Sequence, residues 1–333
     1  MGIIEIQQQI FSAIKNRLSP EASVAEETAR ILDISTDSAY RRMRGEKQIS
    51  LEELYKLCTH YNISLDQLME IQTGAFMFQG NILDNKTFQF DKYLTGIMNS
   101  LAYMNSFKEK EFFNLCKDSP IFHHFYFREF AAFKYFAWMG TLMHLPEFKN
   151  KKVNFEEYPD SFFEIGQKAL ALYDKLDSVE IWNIESLNTT LRQIDFFRDG
   201  NRFRSDQDIL KVYEAIEKMM DHLEKQAELG YKFNYGDPEK KPLGRYRMYF
   251  NEVVLGDNSS MAVIDNSKIA FLPHTAMNYL MTRDMKYCDN YHSYIQNLMK
   301  SSTLISEVSE KERSKFFRIH RDRIASRKAS LKI

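Results

Sequence analysis

A mainly α-helical fold is what this sequence predicts: a five-helix N-terminal head, then a larger helical domain of antiparallel helix pairs with a small antiparallel β-meander near 245–273. Three observations carry that expectation. Apolar residues recur at helical spacing from Ile3 to Leu18 and through most of the stretch from Phe88 to Gly230. Serines suited to helix N-caps punctuate the first seventy residues at short intervals. Only RYRMYFNEVVLGDNSSMAVIDNSKIAFLPH, from Arg245 to His274, breaks the pattern, with β-branched and aromatic runs separated by the turn formers GDNSS and DNSK.

The first helix is expected over 3–18, because Ser19-Pro20 follows and proline disfavours helical geometry in the residue before it. Ser23 with Glu26, Ser50 with Glu53 and Ser64 with Gln67 are capping-box pairs, in which two side chains satisfy orphan backbone N–H groups. Ser35 is a further N-cap and Gly45 a C-terminal stop. Four short helices are therefore expected near 24–32, 36–44, 51–61 and 65–70. Asp33-Ile34-Ser35 makes a three-residue turn, with Ala29 and Leu32 facing inward before it and Ala39 after it. The small Ala29 lets the two helices cross closely. This is helix-turn-helix geometry, whose second helix enters the DNA major groove.

The stretch TARILDISTDSAYRRMRGEKQISLEELYKLCTHYNISLDQLM, Thr28 to Met69, resembles the lambda-repressor-like (Cro/CI, Xre) DNA-binding family. The matching features are Ala29, Leu32, Ile34-Ser35, Gly45, Ile49-Ser50-Leu51-Glu52 and Ile63-Ser64-Leu65-Asp66. Two positions depart from the family pattern. Asp33 stands where the turn usually has glycine, and aspartate tolerates positive φ better than most residues. Arg42 replaces the usual aromatic, with Met43 expected to take over its packing.

The arginines of RRMR then find places on the recognition helix. Ala39 and Met43 define its buried side, and Arg41 points away from them, with Asp37, Arg44, Ser38 and Tyr40 spread over the same outward arc. Arg41 and Arg44 suit bidentate pairing to guanine, and Thr36 and Tyr40 suit base edges or thymine methyls. Arg42, on the flank, and Lys47 suit phosphates, as does the N-terminus of the helix after Ser50. Asp37 either reads a cytosine amino group or complements the helix dipole. The DNA-binding set is thus Ser35, Thr36, Asp37, Ser38, Tyr40, Arg41, Arg42, Arg44 and Lys47.

Charge constrains how such a head would bind. The whole chain carries 45 Lys and Arg against 46 Asp and Glu, so no protein-wide basic field attracts nucleic acid. Residues 1–70 hold eight basic against eleven acidic side chains, net −3, so a single copy should bind poorly and with salt sensitivity. Double-stranded DNA with two half-sites and a homodimer are the expected partners.

At 333 residues the chain predicts more than one domain, divided as 1–70, a linker at 71–87, and 88–333 as a sensor and dimerisation domain. The linker carries two glycines, and its apolar AFMF is expected to dock on a surface. Helical segments are expected near 91–107, 120–144, 160–176, 180–198 and 206–229, then after the meander at 275–282 and 285–301. KERSKFFRIHRDRIASRKASLKI ends the chain with nine basic residues and two acids, read as a solvated terminal helix in preference to a second phosphate-contacting element. Cys58, Cys116 and Cys288 lie far apart, which fits a reducing cytoplasm. No stretch approaches the ~20 apolar residues of a membrane helix.

The chemistry-bearing motifs are few. There is no GxGxxG, no P-loop, no GxSxG elbow, no HExxH and no CxxC, and adjacent His123 and His124 would point apart on a helix. No catalytic residue, metal or cofactor is expected. The sequence points to a DNA-binding transcriptional regulator whose C-terminal domain senses a small molecule, peptide or protein. An enzyme tethered by its head and a peptide-docking helical scaffold are the alternatives. Projected as one helix, FHHFYFREFAAFKYFAW places Glu129 in an arc of Phe122, Phe125, Tyr126, Phe133 and Phe136, opposite His124, Arg128 and Tyr135. A carboxylate there is expected to sit in a structural ion pair or interhelical hydrogen bond, with an effector pocket of Glu129, Phe125 and Phe133 as the alternative.

Overall fold

In a computed structural model, the residues described are 2–65, 76–80, 87–253, 255–275 and 277–331. The chain divides into two compact units: residues 1–79 with 282–287, and residues 80–281 with 288–333. The helix expected at 65–70, Gln67 of its capping box and most of the 71–87 linker lie outside the described residues.

The first unit contains four described helices: α1 (Ile3–Lys15), α2 (Val24–Leu32), α3 (Thr36–Met43) and α4 (Leu51–Tyr61). Ser23, Ser35 and Ser50 cap the last three, each accepting from the backbone N–H three residues on, and Glu53 closes a reciprocal capping box with Ser50. Helix α1 stops three residues earlier than expected, at the Asn16 C-cap. Ile10, Phe11, Ile14, Leu32, Leu57 and Ile63 form the unit's core. Phe76 and Phe78 set their rings edge-on to Tyr287, and Thr282 Oγ1 donates to the Met77 carbonyl at 2.7 Å, so the described part of the AFMF run, Phe76 to Phe78, is docked within this unit.

The expectation of a mainly α fold with a small meander is wrong for the second unit. The chain is 54% helical and contains a seven-stranded mixed sheet, far larger than a meander. Its strands are β1 (Lys110–Cys116), β2 (Asp177–Asn183), β3 (Tyr246–Asn251), β4 (Ser260–Ile264), β5 (Ser267–Thr275), β6 (Asn278–Thr282) and β7 (Thr303–Leu304), in the order β6-β5-β4-β1-β2-β3-β7. The first three run parallel: Phe113 lies opposite Val179 and Ile181 opposite Tyr249. Parallel neighbours need long crossovers, and the helices supply them: α5 (Phe90–Asn105) precedes β1; α6 (Ile121–His124), α7 (Arg128–Ala137) and α8 (Asp160–Tyr173) join β1 to β2; α9 (Asn188–Asp199) and α10 (Asp206–Leu229) join β2 to β3. The expected meander is real only for β4 and β5, which extend antiparallel from β1. Its supposed first strand, β3, pairs with β2 and β7 instead. The helix expected at 275–282 is strand β6, while the one expected at 285–301 is α11 (Met285–Lys300).

Phe112, Cys116, Trp182, Tyr246, Met248 and Phe250 face the helical layer and join one large core with α5, α7 to α10 and the C-terminal helix α12 (Glu310–Lys328). The other sheet face buries Phe113, Leu115, Val179 and Ile181, and there Phe113 meets His292 of α11 edge-on. The basic terminal helix is packed down, not solvated. Arg321 pairs with Asp221 and Glu224, Arg323 with Glu185, Arg327 with Asp195 and Lys328 with Glu217, while buried Arg313 donates to the carbonyls of Ile305 and Val308.

A fully buried carboxylate stands in the centre of the sheet. Glu180 accepts from Tyr173 Oη (2.5 Å), Tyr246 Oη (2.7 Å), Trp182 Nε1 (2.8 Å) and pairs with His123 Nε2 (2.8 Å). Burial works to raise its pKa, but His123 and the hydroxyl donors prevail and hold it at about 2. Nearby, burial raises Asp174 to about 6 and lowers Lys232 to about 8, each opposed by the other's charge.

Candidate nucleic-acid interface

The turn between α2 and α3 is left-handed at Asp33, with φ 54° and ψ 53°, as the sequence required of an aspartate in a glycine position. Ala29 and Ala39 are buried where the two helices cross. With Ala39 inward, Tyr40, Arg41 and Arg44 emerge on the opposite side, the two arginine side chains 53% and 58% exposed. Ser35, Thr36, Asp37 and Lys47 are exposed as well, and Ser38 is half-buried beside the Ser35 hydroxyl, 3.0 Å away.

Arg42 is not part of that surface. Only 3% of its side chain is exposed. Its guanidinium donates from Nε (3.1 Å) and Nη2 (2.5 Å) to the Glu53 carboxylate, and from Nη1 to the Ser38 carbonyl at 3.0 Å. The phosphate-contacting role expected of it is therefore replaced by a structural one, tying α3 to the first turn of α4. The Arg42 hydrogen bond holds the Glu53 carboxyl below the usual range. Met43 is half-buried against the core, so Arg42 and Met43 share the position that an aromatic would fill.

Two residues that sequence reasoning passed over shape this surface, one from beneath and one on it. Gln7 of α1, 5% exposed, donates to the carbonyls of Arg42 and Lys47 at 2.7 Å each and accepts from Ile49 N–H at 3.0 Å. One amide thus fixes the loop from the end of α3 to the start of α4. Its polarity on an otherwise apolar helix face was the available signal. Glu46 lies in that loop and pairs with Arg44 and Arg41.

The proposed effector pocket does not assemble. The continuous helix it needed is broken between α6 and α7, where Phe127 is extended (φ −135°). Phe125 packs against Gly166, where an added Cβ would fall 2.0 Å from its ring; Phe133 stacks on Phe203, 5.8 Å from Phe197. Glu129 is half-buried in the first turn of α7, where a carboxylate complements the helix dipole. His124, expected on the polar side, is buried, with Nε2 2.9 Å from Ser119 Oγ. The buried charge on α7 is Lys134, whose Nζ lies 3.0 Å from each of Asp118, Thr190 and Gln193.

Residues 6–88 match a family model described as the BetR domain. The BetR domain is a small helix-turn-helix-like domain found in regulators. The match takes in most of α1 and all of α2, α3 and α4, so the segment with recognition-helix geometry is the segment the family model covers. It leaves the seven-stranded sheet outside. No curated protein and no solved structure matches the chain. Among the described residues, no helix is long and apolar enough to cross a membrane, and no group of three or more His, Cys, Asp or Glu is placed to hold a metal ion.

Proposed function

We propose that the chain is a sequence-specific DNA-binding transcriptional regulator of the cytoplasm whose BetR-like head reads the major groove through α3. The observation that carries the reading is the exposure of Tyr40, Arg41 and Arg44 on one side of α3, whose opposite side, at Ala39, is packed into a helix-turn-helix. The lambda-repressor-like resemblance from Thr28 to Met69 supports the same assignment. Arg41 and Arg44 would reach guanine edges and Lys47 the backbone, with Ser35, Thr36 and Ser38 at the N-terminal end of the helix. Because the head is net acidic, a homodimer spanning two half-sites supplies the affinity one copy lacks. The sheet-containing unit is the regulatory part, receiving a small-molecule, peptide or protein signal, and the chain acts without catalysis. Selection of bound sequences from a random duplex library by the full-length protein tests the reading. A paired motif with roughly one helical turn between half-sites is expected. Recovery of no enriched sequence would refute it.

A further inference from the structure

The turn that ends α3 does more than stop the helix. Gly45, at φ +77°, adopts the left-handed conformation, and the chain folds back in a paired hydrogen-bond motif: Glu46 N–H to the Arg41 carbonyl at 2.9 Å, and Gly45 N–H to the Arg42 carbonyl at 3.0 Å. That backbone motif, together with the Gln7 clamp on the same loop, sets Glu46 beside the last turn of α3. A carboxylate there works against the helix dipole, whose C-terminal end favours cations. Its side chain is nevertheless turned onto the two outward arginines. Glu46 Oε1 lies 2.7 Å from Arg44 Nε, Arg44 Nη2 donates to Oε2 at 3.2 Å, and Arg41 Nε lies 3.8 Å from Oε2.

The edges used matter. A guanidinium has two hydrogen-bonding edges, one of Nε with a terminal nitrogen and one of the two terminal nitrogens together. Glu46 takes the Nε–Nη2 edge of Arg44 by hydrogen bonds and lies at ion-pair distance from Arg41 Nε, so on both arginines it sits on the Nε side, away from the edge formed by the two terminal nitrogens. Guanine N7 and O6 require such a two-donor edge. We infer that Glu46 is a specificity-determining positioning residue, which holds the terminal edges of Arg41 and Arg44 ready for base pairs in the major groove and opposes docking on phosphates alone. Its negative charge repels the DNA backbone wherever the arginines find no guanine to complete them. Sequence discrimination is thereby raised from both directions.

This inference rests on the DNA-binding reading, and the test separates the two. Full-length protein, Glu46→Gln and Glu52→Gln are titrated against the duplex that the unaltered protein selects and against a scrambled duplex of equal length. Glu52 is a charge-matched control: it is exposed and pairs with Lys56 and not with either arginine. Glu46→Gln is expected to tighten scrambled-duplex binding and to leave selected-site binding unchanged or weaker. The ratio of the two affinities then falls about tenfold, as for one weakened bidentate contact. Glu52→Gln is expected to move both duplexes together and leave the ratio intact. In an Arg44→Ala background, Glu46→Gln should lose most of its effect on the ratio, since it acts through the arginine. If the protein selects a site but the two glutamine variants behave alike, the inference fails and the DNA-binding reading stands. If the unaltered protein selects no site, both fail.

Discussion

The guanidinium of Arg42 grips the carboxylate of Glu53 through two hydrogen bonds, with 3% of the Arg42 side chain exposed. Arg42 belongs to α3, and Glu53 also caps α4, so one ion pair fixes α3 against its neighbour. Removing one partner of a buried pair strands the other. Arg42→Ala should destabilise the head by about 3 kcal/mol, the lower end of the buried-pair range, because Glu53 keeps some solvent contact. The measurement is the midpoint of urea unfolding followed by circular dichroism. DNA affinity well below that midpoint should be unchanged; a large loss of affinity in a fully folded variant would return Arg42 to the phosphate contacts.

Arg41→Ala and Arg44→Ala should behave in the opposite way. Both side chains are more than half exposed, so melting should hardly move. Binding to the selected site should weaken about ten- to a hundredfold for each, as expected for 1–3 kcal/mol of base discrimination. Random DNA should lose far less. Equal losses on both duplexes, read in a mobility-shift titration, would make these arginines backbone contacts.

The boundaries of α2 and α4 were legible because they rest on local rules. Ser23 and Ser50 name the first turns of α2 and α4, and the ends expected at Leu32 and Tyr61 are the ends found. The sheet was not legible. KEFFNLC and DSVEIWN are buried on both faces, so neither alternates, and Asn114 and Glu180 interrupt their apolar runs. The break at Phe127 has no proline or glycine to announce it. Arg42 was misplaced for a different reason: a helical projection gives its direction and says nothing of Glu53, eleven residues away on another helix.

The Glu180 network yields a stability prediction. Glu180→Gln keeps the shape but sets an amide among donors from Tyr173, Tyr246, Trp182 and His123. The amide nitrogen would face two of them, either Tyr173 and His123 or Trp182 and Tyr246, and the charge that strengthens all four would be gone. A loss of about 3 kcal/mol or more is expected. Thermal melting of the full chain followed at the aromatic bands reads it, and an unchanged transition would remove Glu180 as an anchor of the sheet.

His222 gives a pH dependence whose sign can be worked out. It sits among the rings of Tyr126, Phe233 and Tyr235, and burial lowers its pKa from 6.5 to about 4. The unfolded chain takes up a proton near 6.5 and the folded chain not until about 4. Stability from this group is therefore full above 6.5 and is lost as pH falls towards 4, by about 3 kcal/mol in all. Asp174 runs the other way, since burial raises its folded value to about 6. Comparison with His222→Phe isolates the histidine. The variant should start less stable at neutral pH, because Gln226 loses a 3.0 Å partner, and should decline less steeply between pH 6.5 and 4. Parallel urea-midpoint curves for the two proteins would count against the assignment.

The strand order also sets a timetable. Glu111 of β1 lies opposite Val263 of β4, about 150 residues later in the chain. At translation speeds of roughly 5–20 residues per second, β4 leaves the ribosome about 8–30 s after β1. Helices α1 to α4, joined by short loops, can assemble on a millisecond scale in the meantime. The nascent chain thus carries a formed helical head for many seconds while β1 and β2 present an unfinished, aggregation-prone edge. Slower synthesis would lengthen that window and favour misfolded molecules whose sheet never closes but which still display α3.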